Sequence, residues 1–428
     1  MKTPITVILK PTKFISIFII SLLPFLLNIT QFKALFWFGD ELVLLGEMRR
    51  EGLFQWTAVV FAESIVPIFK LLWGGSVILS HGSYFEVVTS VWLTHALNAT
   101  LLFFLLQRVG VSFLISLFSV SIFALTPGTH ESLGWTVQWS AILVVTFFLL
   151  GLTSILTITS EAKRNIFAVL CAFGAAFSFA RGVLVCGILS IGIFFSSNKS
   201  IKQKLFFSFL PIIPALIAAW TIFHNSSGNH QSLLSVNSET IFKMIDFGGT
   251  FYLLNPLFRI FYDTTPELNH YLMFGSLKIA LLCLCLFALK KGTKEQKLLI
   301  CLPILFDLGN AALLGLGRYH TGSQFAVSSR YQYESLMCLS MSLGVSLHIF
   351  LGKAVAWRKE FIFAILILGT FSLTRWNSIM KEWGKSRGSE GRDFFFAKPD
   401  KRPAQWWGLP NIISKEEAEE TIKFYGLH

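Results

Sequence analysis

The sequence predicts an all-α polytopic membrane protein of about eleven transmembrane helices, with interfacial helices in a long first outer loop and a short outer tail. Three observations carry this. Of the 428 residues, 54% are hydrophobic and only 14% are charged, where a soluble domain carries roughly 25% charged residues. Mean hydropathy is +0.63. Many of the 44 Phe and 12 Trp lie near the ends of apolar runs, the placement of aromatic belts at membrane interfaces. The net charge of +12 comes from basic residues scattered between apolar segments. With no basic helix and no aromatic-interleaved patch, nucleic acid is set aside as a partner and the bilayer kept. All six cysteines (Cys171, Cys186, Cys283, Cys285, Cys301, Cys338) lie inside apolar runs, which argues against a disulfide framework or thiolate metal site.

A crossing needs roughly 20 mostly apolar residues. Candidates run near 14–37, 85–107, 112–126, 138–159, 166–180, 182–196, 205–223, 271–289, 298–316, 333–351 and 361–374. The first is read as a retained span, because no small-residue cleavage site follows residue 30. Orientation follows from Lys and Arg in the short connections. Lys2/Lys10/Lys13, Arg108, Lys163/Arg164, Lys199/Lys202/Lys204, Lys290/Lys291/Lys294/Lys297 and Lys353/Arg358/Lys359 fall on alternate connections. Those are expected to be cytoplasmic, in a bacterial inner membrane. The opposite connections hold no basic residue at 127–137, only Arg181 between 180 and 182, and Arg318 and Arg330 within 317–332. The N-terminus is therefore expected inside, with the loops at 38–84, 127–137, 224–270 and 317–332 outside.

Two segments strain this count. Residues 57–79 are apolar but contain Glu63, Pro67, Lys70 and Gly74-Gly75, and each mid-membrane charge costs roughly 2.5–3.5 kcal/mol. Spanning there would also invert every later loop, so they are read as helices on the outer interface. Residues 166–196 would make one helix of about 46 Å at 1.5 Å per residue, too long for a core of about 30 Å. Both flanks are basic, so the segment is expected to go out and return, with Arg181-Gly182 at its tip. The chain thus divides into a transmembrane domain, 1–374, and an outer tail, 375–428. In the tail, Ser414-x-x-Glu417 is a capping box opening a helix to about Phe424. Trp406-Trp407 and Phe394-Phe395-Phe396 read as interfacial anchors or a small packed subdomain.

Four outer features hold candidate chemistry. In FGDELVLLGEMRREG, Asp40 can serve as a general base on an acceptor hydroxyl, or as an N-cap following Gly39. Adjacent helical residues point about 100° apart, so only one of Asp40 and Glu41 can face a reacting centre. In FAESIVPIFKLLW, Glu63 is hard to explain by solvation, and Lys70 either meets a lipid phosphate or snorkels to the interface. FALTPGTHESLGWTVQWS carries His130 and Glu131 in an outer turn, read either as site residues or as a capped helix start before belt tryptophans. Arg181, Arg259, Arg318 and Arg330 supply guanidinium groups suited to bidentate phosphate recognition. Inside the membrane, Asp307 and Lys278 on successive antiparallel helices are expected to pair, with a transporter's ion or proton path as the second reading. A non-catalytic scaffold whose tail binds a partner is a third reading. No HExxH motif and no Asp-x-Asp occurs, so no cofactor and no metal is indicated.

Asp40-Glu41 just after the first span resembles the GT-C superfamily of membrane glycosyltransferases. LTHALNATLLFFLLQRVGVSFLISLFSVSIFALTPGTHESLGW, residues 93–135, is similar to the protein O-mannosyltransferase-like branch, in which a Phe-Ala-Leu-x-Pro turn with His-Glu joins the third and fourth helices. The likeness covers about residues 30–200 and extends beyond them only in architecture. It implies transfer of a sugar from a polyprenyl-phosphate donor to a lipid, glycan or protein acceptor, with inversion. Asp40 would be the catalytic carboxylate and Glu41 the second acid of the pair. The chain departs from the family before Pro67, where relatives often carry His or Arg and this one has Glu63-Ser64-Ile65-Val66. Lys70 then stands as the substitute phosphate contact, alongside Arg181, Arg330 and Arg318.

Overall fold

The structure is a computed structural model describing residues 11–61, 65–197, 199–225, 237–352, 357–398, 400–403 and 405–427. It is that of an all-α polytopic membrane protein. No strand forms among the described residues, and eight helical stretches are long and apolar enough to cross a bilayer. They are Tyr84–Arg108, Phe113–Gly134, Thr136–Thr157, Ile201–Thr221, Leu268–Lys291, Lys294–Thr321, Ser329–Leu351 and Arg358–Phe396.

The first apolar segment is not the single helix expected over 14–37. It forms α1 (Pro11–Ser21), α2 (Leu23–Leu27) and α3 (Ile29–Ala34). Asn28 lies at the second joint, where its amide donates back to the Pro24 carbonyl at 2.8 Å, one of the local bonds that compete with a continuous helix. Residues 35–38 then run buried to α4 (Asp40–Glu51), whose Leu42, Leu45 and Met48 are buried. α5 (Leu53–Trp56) and α6 (Pro67–Leu79) follow. α6 buries Phe69, Lys70, Trp73, Gly74 and Val77 and exposes Leu71, Leu72, Ile78 and Leu79. Both sides of this helix are apolar, yet only one is packed by protein. Ala62, Glu63 and Ser64 lie outside the described residues.

The central bundle is built on α7 (Tyr84–Arg108), α8 (Phe113–Leu125), the short α9 (His130–Gly134) and α10 (Trp139–Thr157). Against it pack α11 (Glu161–Ala176) and α12 (Gly182–Ser196), an adjacent pair joined by five residues. Their 16 and 15 residues make about 24 and 22 Å of helix at 1.5 Å per residue, each shorter than a hydrocarbon core. Gly182 fixes the join, because a Cβ there would lie 1.8 Å from the Ala175 carbonyl oxygen. Gly182→Ala should destabilise the fold by at least about 1–3 kcal/mol. Loss of the monodisperse fraction on size-exclusion in detergent, against a Gly187→Ala control where nothing crowds the new methyl, is the measurement.

α13 (Ile201–Phe209) and α14 (Ile213–Asn225) are parts of one apolar stretch divided by a 3-10 turn at Leu210–Ile212. Within the connection expected over 224–270, the described residues form two helices, α15 (Ser238–Leu254) and α16 (Leu257–Phe261). Phe247 and Phe251 of α15, one turn apart, bury themselves with Ala311 and Leu314, the contact that holds this helix in place. α17 (Leu268–Lys291) and α18 (Lys294–Arg318) turn sharply at Thr293. The Thr293 hydroxyl accepts from Gln296 N–H at 3.3 Å, and the Gln296 side chain accepts from Thr293 N–H at 3.0 Å, a complete capping box. α19 (Gln332–Leu351) precedes α20 (Arg358–Trp383), which passes residue 374 without a break.

After α20 the chain continues through a π-helical turn, Gly384–Ser389, into α21 (Glu390–Phe396), and α22 (Lys415–Tyr425) ends the described tail. Ser414 Oγ caps α22 by accepting from Glu417 N–H at 3.1 Å. The Glu417 carboxylate does not return to complete the box; it pairs with Arg50 on α4. Glu420 pairs with Arg49 at 2.9 Å. Exposed ion pairs of this kind contribute little. Burial of Ala418, Thr421 and Ile422, with Thr421 and Glu417 beside Gly46, does more to seat α22 on α4.

Candidate active site

Asp40 is the first residue of α4, and Gly39 before it adopts φ +60°, a conformation that favours glycine. The turn is clamped from several directions. Gly39 N–H donates to the Gly408 carbonyl at 2.6 Å. The Phe38 ring lies 5.6 Å from Trp135 and 5.9 Å from Trp407, and the Arg387 guanidinium carbon sits 4.1 Å above it. Arg387 also stacks at 3.3 Å on Trp383.

Within this clamp the two acids part company. Glu41 is fully buried and its carboxylate accepts from Thr136 N–H (2.8 Å), Thr136 Oγ (2.5 Å) and Phe38 N–H (3.2 Å). The Tyr84 hydroxyl shares its proton between Glu41 and the Gly134 carbonyl. Burial outweighs these bonds and pushes Glu41 up to about 7. Reading it as a second catalytic acid therefore gives way to a structural role: it ties α4 to the 134–136 turn and offers no face to a substrate. Because its folded pKa lies above that of an ordinary glutamate, the associated stability is fully present below about pH 4.5 and is lost as pH rises through about 7. Glu41→Gln puts an amide N–H₂ where donors converge. Its melting temperature should fall at every pH, by the equivalent of about 1–3 kcal/mol, and lose the native protein's decline between about pH 4.5 and about pH 7.

Asp40 is half-buried and accepts no hydrogen bond among the described residues, so it does not cap α4. Desolvation raises its pKa above 3.8, while the charges of Arg330 and then Arg318 pull it back down. Those two guanidinium groups belong to no ion pair among the described residues. Arg330 Nε is buried without a partner, and its Cζ lies 5.1 Å from the Tyr331 ring centre. Arg318 is exposed at the end of α18. It also lines an apolar cavity of about 350 Å³, together with Arg181, Tyr331, Phe179, Ala218 and Leu314.

Three expected phosphate contacts need revision or restriction. Lys70 is fully buried, with Nζ donating to the Trp56 and Val59 carbonyls at 3.0 and 2.9 Å and lying 4.5 Å from the Trp56 ring. It neither snorkels nor reaches a phosphate, because its ammonium is buried and occupied by these two backbone carbonyls. Arg181 lines the cavity but is 5% exposed, and it pairs with Glu334 at 3.1 Å and reaches the Asn310 side-chain oxygen at 3.4 Å. It is an internal counter-charge, not a free phosphate contact. Arg259 is held by the Val327 carbonyl at 2.5 Å and by Asp263 at 3.2 Å.

His130 and Glu131 belong together. His130 Nδ1 lies 3.0 Å from the Pro127 carbonyl, which can only accept, so that nitrogen carries a proton. Glu131 accepts from Ser328 Oγ at 3.1 Å and from Arg330 N–H at 3.0 Å, fixing the backbone beside Arg330. Lys278 and Asp307 meet at 2.9 Å inside the bundle, closed by the Asn255 carbonyl and by Ser335 Oγ. The pair's other bonds run to α19 and to the turn after α15, the pattern of an internal tie.

Sequence reasoning missed Glu334 and Arg387. Glu334 stands in SSRYQYES and carried a signal, since an acid one turn into a span needs a partner. Arg387 carried none, for nothing in GKSRGSEGRD marks an arginine that will be stacked between two aromatic rings. Comparison with family models, with curated proteins and with solved structures gives no match.

Proposed function

We propose that this chain transfers a sugar from a polyprenyl-phosphate donor to an acceptor at the outer face of the membrane, as a glycosyltransferase of GT-C type. One observation carries the reading. Asp40 is a half-buried carboxylate with no hydrogen-bond partner among the described residues, in the field of the unpaired guanidinium groups of Arg318 and Arg330. Arg318 extends that field to an apolar cavity whose walls suit an isoprenoid chain.

In the proposed step, Asp40 takes the acceptor hydroxyl's proton as that oxygen attacks the anomeric carbon. The bond from that carbon to the phosphate oxygen breaks on the opposite side, inverting the centre. Arg318 and Arg330 stabilise the departing polyprenyl phosphate, where charge accumulates. A desolvated aspartate is a stronger base than one in water, which is the direction its pKa has moved.

The topology belongs to the same proposal. Eight long spans, the α1–α3 unit, α11 and α12 make eleven crossings, with the N-terminus in the cytoplasm and the tail outside, in a bacterial inner membrane. Cysteines placed at 163 and 202 should then label from the same, inner side. For the reaction, the purified protein is incubated with a panel of polyprenyl-phosphate sugars and release of polyprenyl phosphate is measured. Release from at least one donor is the expected result. Folded protein that releases none of them would reject the assignment.

A further inference from the structure

Residues 328–331 form a wall with a cavity on each side. Tyr331 faces the apolar cavity. Ser328 and Ser329 face a second one, also of about 350 Å³, closed by the 130–131 turn, the end of α20 and residues near 259–263 and 324–325. The two differ in chemistry. The first is apolar with two guanidinium groups. The second is lined by three carboxylates, Glu131, Asp263 and Glu382, with Arg259 beside them and Arg375 paired to Asp263, so hydrogen-bonding acids and their counter-charges line it in place of a free guanidinium group.

What remains unsatisfied in the second cavity narrows the ligand. Gln324 and Glu382 are exposed and make no side-chain hydrogen bond among the described residues. His130 uses only Nδ1, towards Pro127 and Ser329, so its Nε2 is left to accept. The Gln324 amide both donates and accepts, and the Glu382 carboxylate accepts from two hydroxyls at once. Phe325, 50% exposed, offers an aromatic face on the same wall. A ligand with vicinal hydroxyls along its edge and C–H groups on its flat face uses all of these together. A simple amine would satisfy the carboxylates and leave the amide donor and the ring unmatched. A metal would need converging acids and histidines, and no such cluster exists among the described residues.

We infer that this second cavity binds a pyranose unit, and that the acceptor is a glycan. Naming that sugar as the acceptor rests on the transferase reading; the binding does not. The test uses the full-length protein in lipid nanodiscs, without donor. Saturation-transfer NMR is recorded with glucose, mannose and N-acetylglucosamine, and with ethanolamine and methyl phosphate as the cationic and anionic probes. Transfer to the ring protons of at least one neutral sugar is expected. Phe325→Ala and Glu382→Gln should each weaken it about tenfold, the loss that accompanies removal of one good contact to a charged or aromatic group. Both side chains are exposed, so neither variant should unfold the protein. Preference for ethanolamine or methyl phosphate over every sugar, sugar binding unchanged in both variants, or no transfer to any sugar would each overturn the inference. Sugar binding without polyprenyl phosphate release would retain this site and reject the transferase reading. Release without sugar binding would do the reverse.

Discussion

Asp40→Asn should abolish sugar transfer while leaving the protein folded. The substitution is nearly isosteric, and the Asp40 carboxylate holds no hydrogen bond whose loss would loosen α4. The neighbouring Glu41 and the Gly39–Gly408 bond, which fix the turn, are untouched. What disappears is the proton acceptor of the proposed step, and loss of a general base lowers rates by about 10²–10⁴-fold. Polyprenyl phosphate release, normalised to monodisperse protein, is the measurement. Activity within tenfold of the native protein would remove Asp40 from the mechanism. The pH profile gives an independent handle. The base acts when deprotonated and desolvation raises its pKa, so activity should climb with pH along a limb displaced above that of an ordinary aspartate. Removing the Arg330 charge, the largest of the opposing influences on Asp40, should move that limb further up.

The second large effect is on folding. Arg181 and Glu334 are both buried, 3.1 Å apart, and no hydrogen bond satisfies the Glu334 oxygens among the described residues. Arg181→Met strands a carboxylate in the bundle, at a cost of about 3–5 kcal/mol. Arg181→Met combined with Glu334→Leu removes both charges, and a pair replaced by apolar side chains is often neutral or better. The double variant should therefore recover most of the single variant's loss in thermal stability. If Arg181 instead serves mainly to hold a phosphate, the single variant would melt like the native protein, and only release would suffer.

The contrast between Arg181 and Asp40 shows what the residues alone reveal. Asp40 is legible because its setting is local: an acid following an apolar run and a glycine, where the chain leaves the bilayer. Lys278 and Asp307 are legible for a similar reason, since helix rise and antiparallel order bring them to the same depth. Arg181 is legible only as a position. Its partner lies 153 residues away on α19, and no spacing rule connects two helices packed side by side. Lys70 fails in another way, because backbone carbonyls that satisfy a buried ammonium leave no trace in residue identity. The helix over 238–254 does not read as a span because three charges fall within its 17 residues. Glu239, Lys243 and Asp246 interrupt its apolar run, although Phe247 and Phe251, four apart, mark a buried face.

The hydrogen bond from Gly39 to Gly408, with α22 seated on α4, carries a consequence for biosynthesis. A chain grows from its N-terminus at about 5–20 residues per second. The turn bearing Asp40 therefore waits roughly 20–70 s before residue 408 is made, and longer until α22 emerges. In the topology proposed here, every crossing helix enters the bilayer during that interval. Asp40 is thus the first of the site's acids to be synthesised, but its clamp closes only after the last span is threaded. A ribosome that stalls within α19 or α20 would leave in the membrane a partly built bundle in which the turn bearing Asp40 lacks its bond to Gly408.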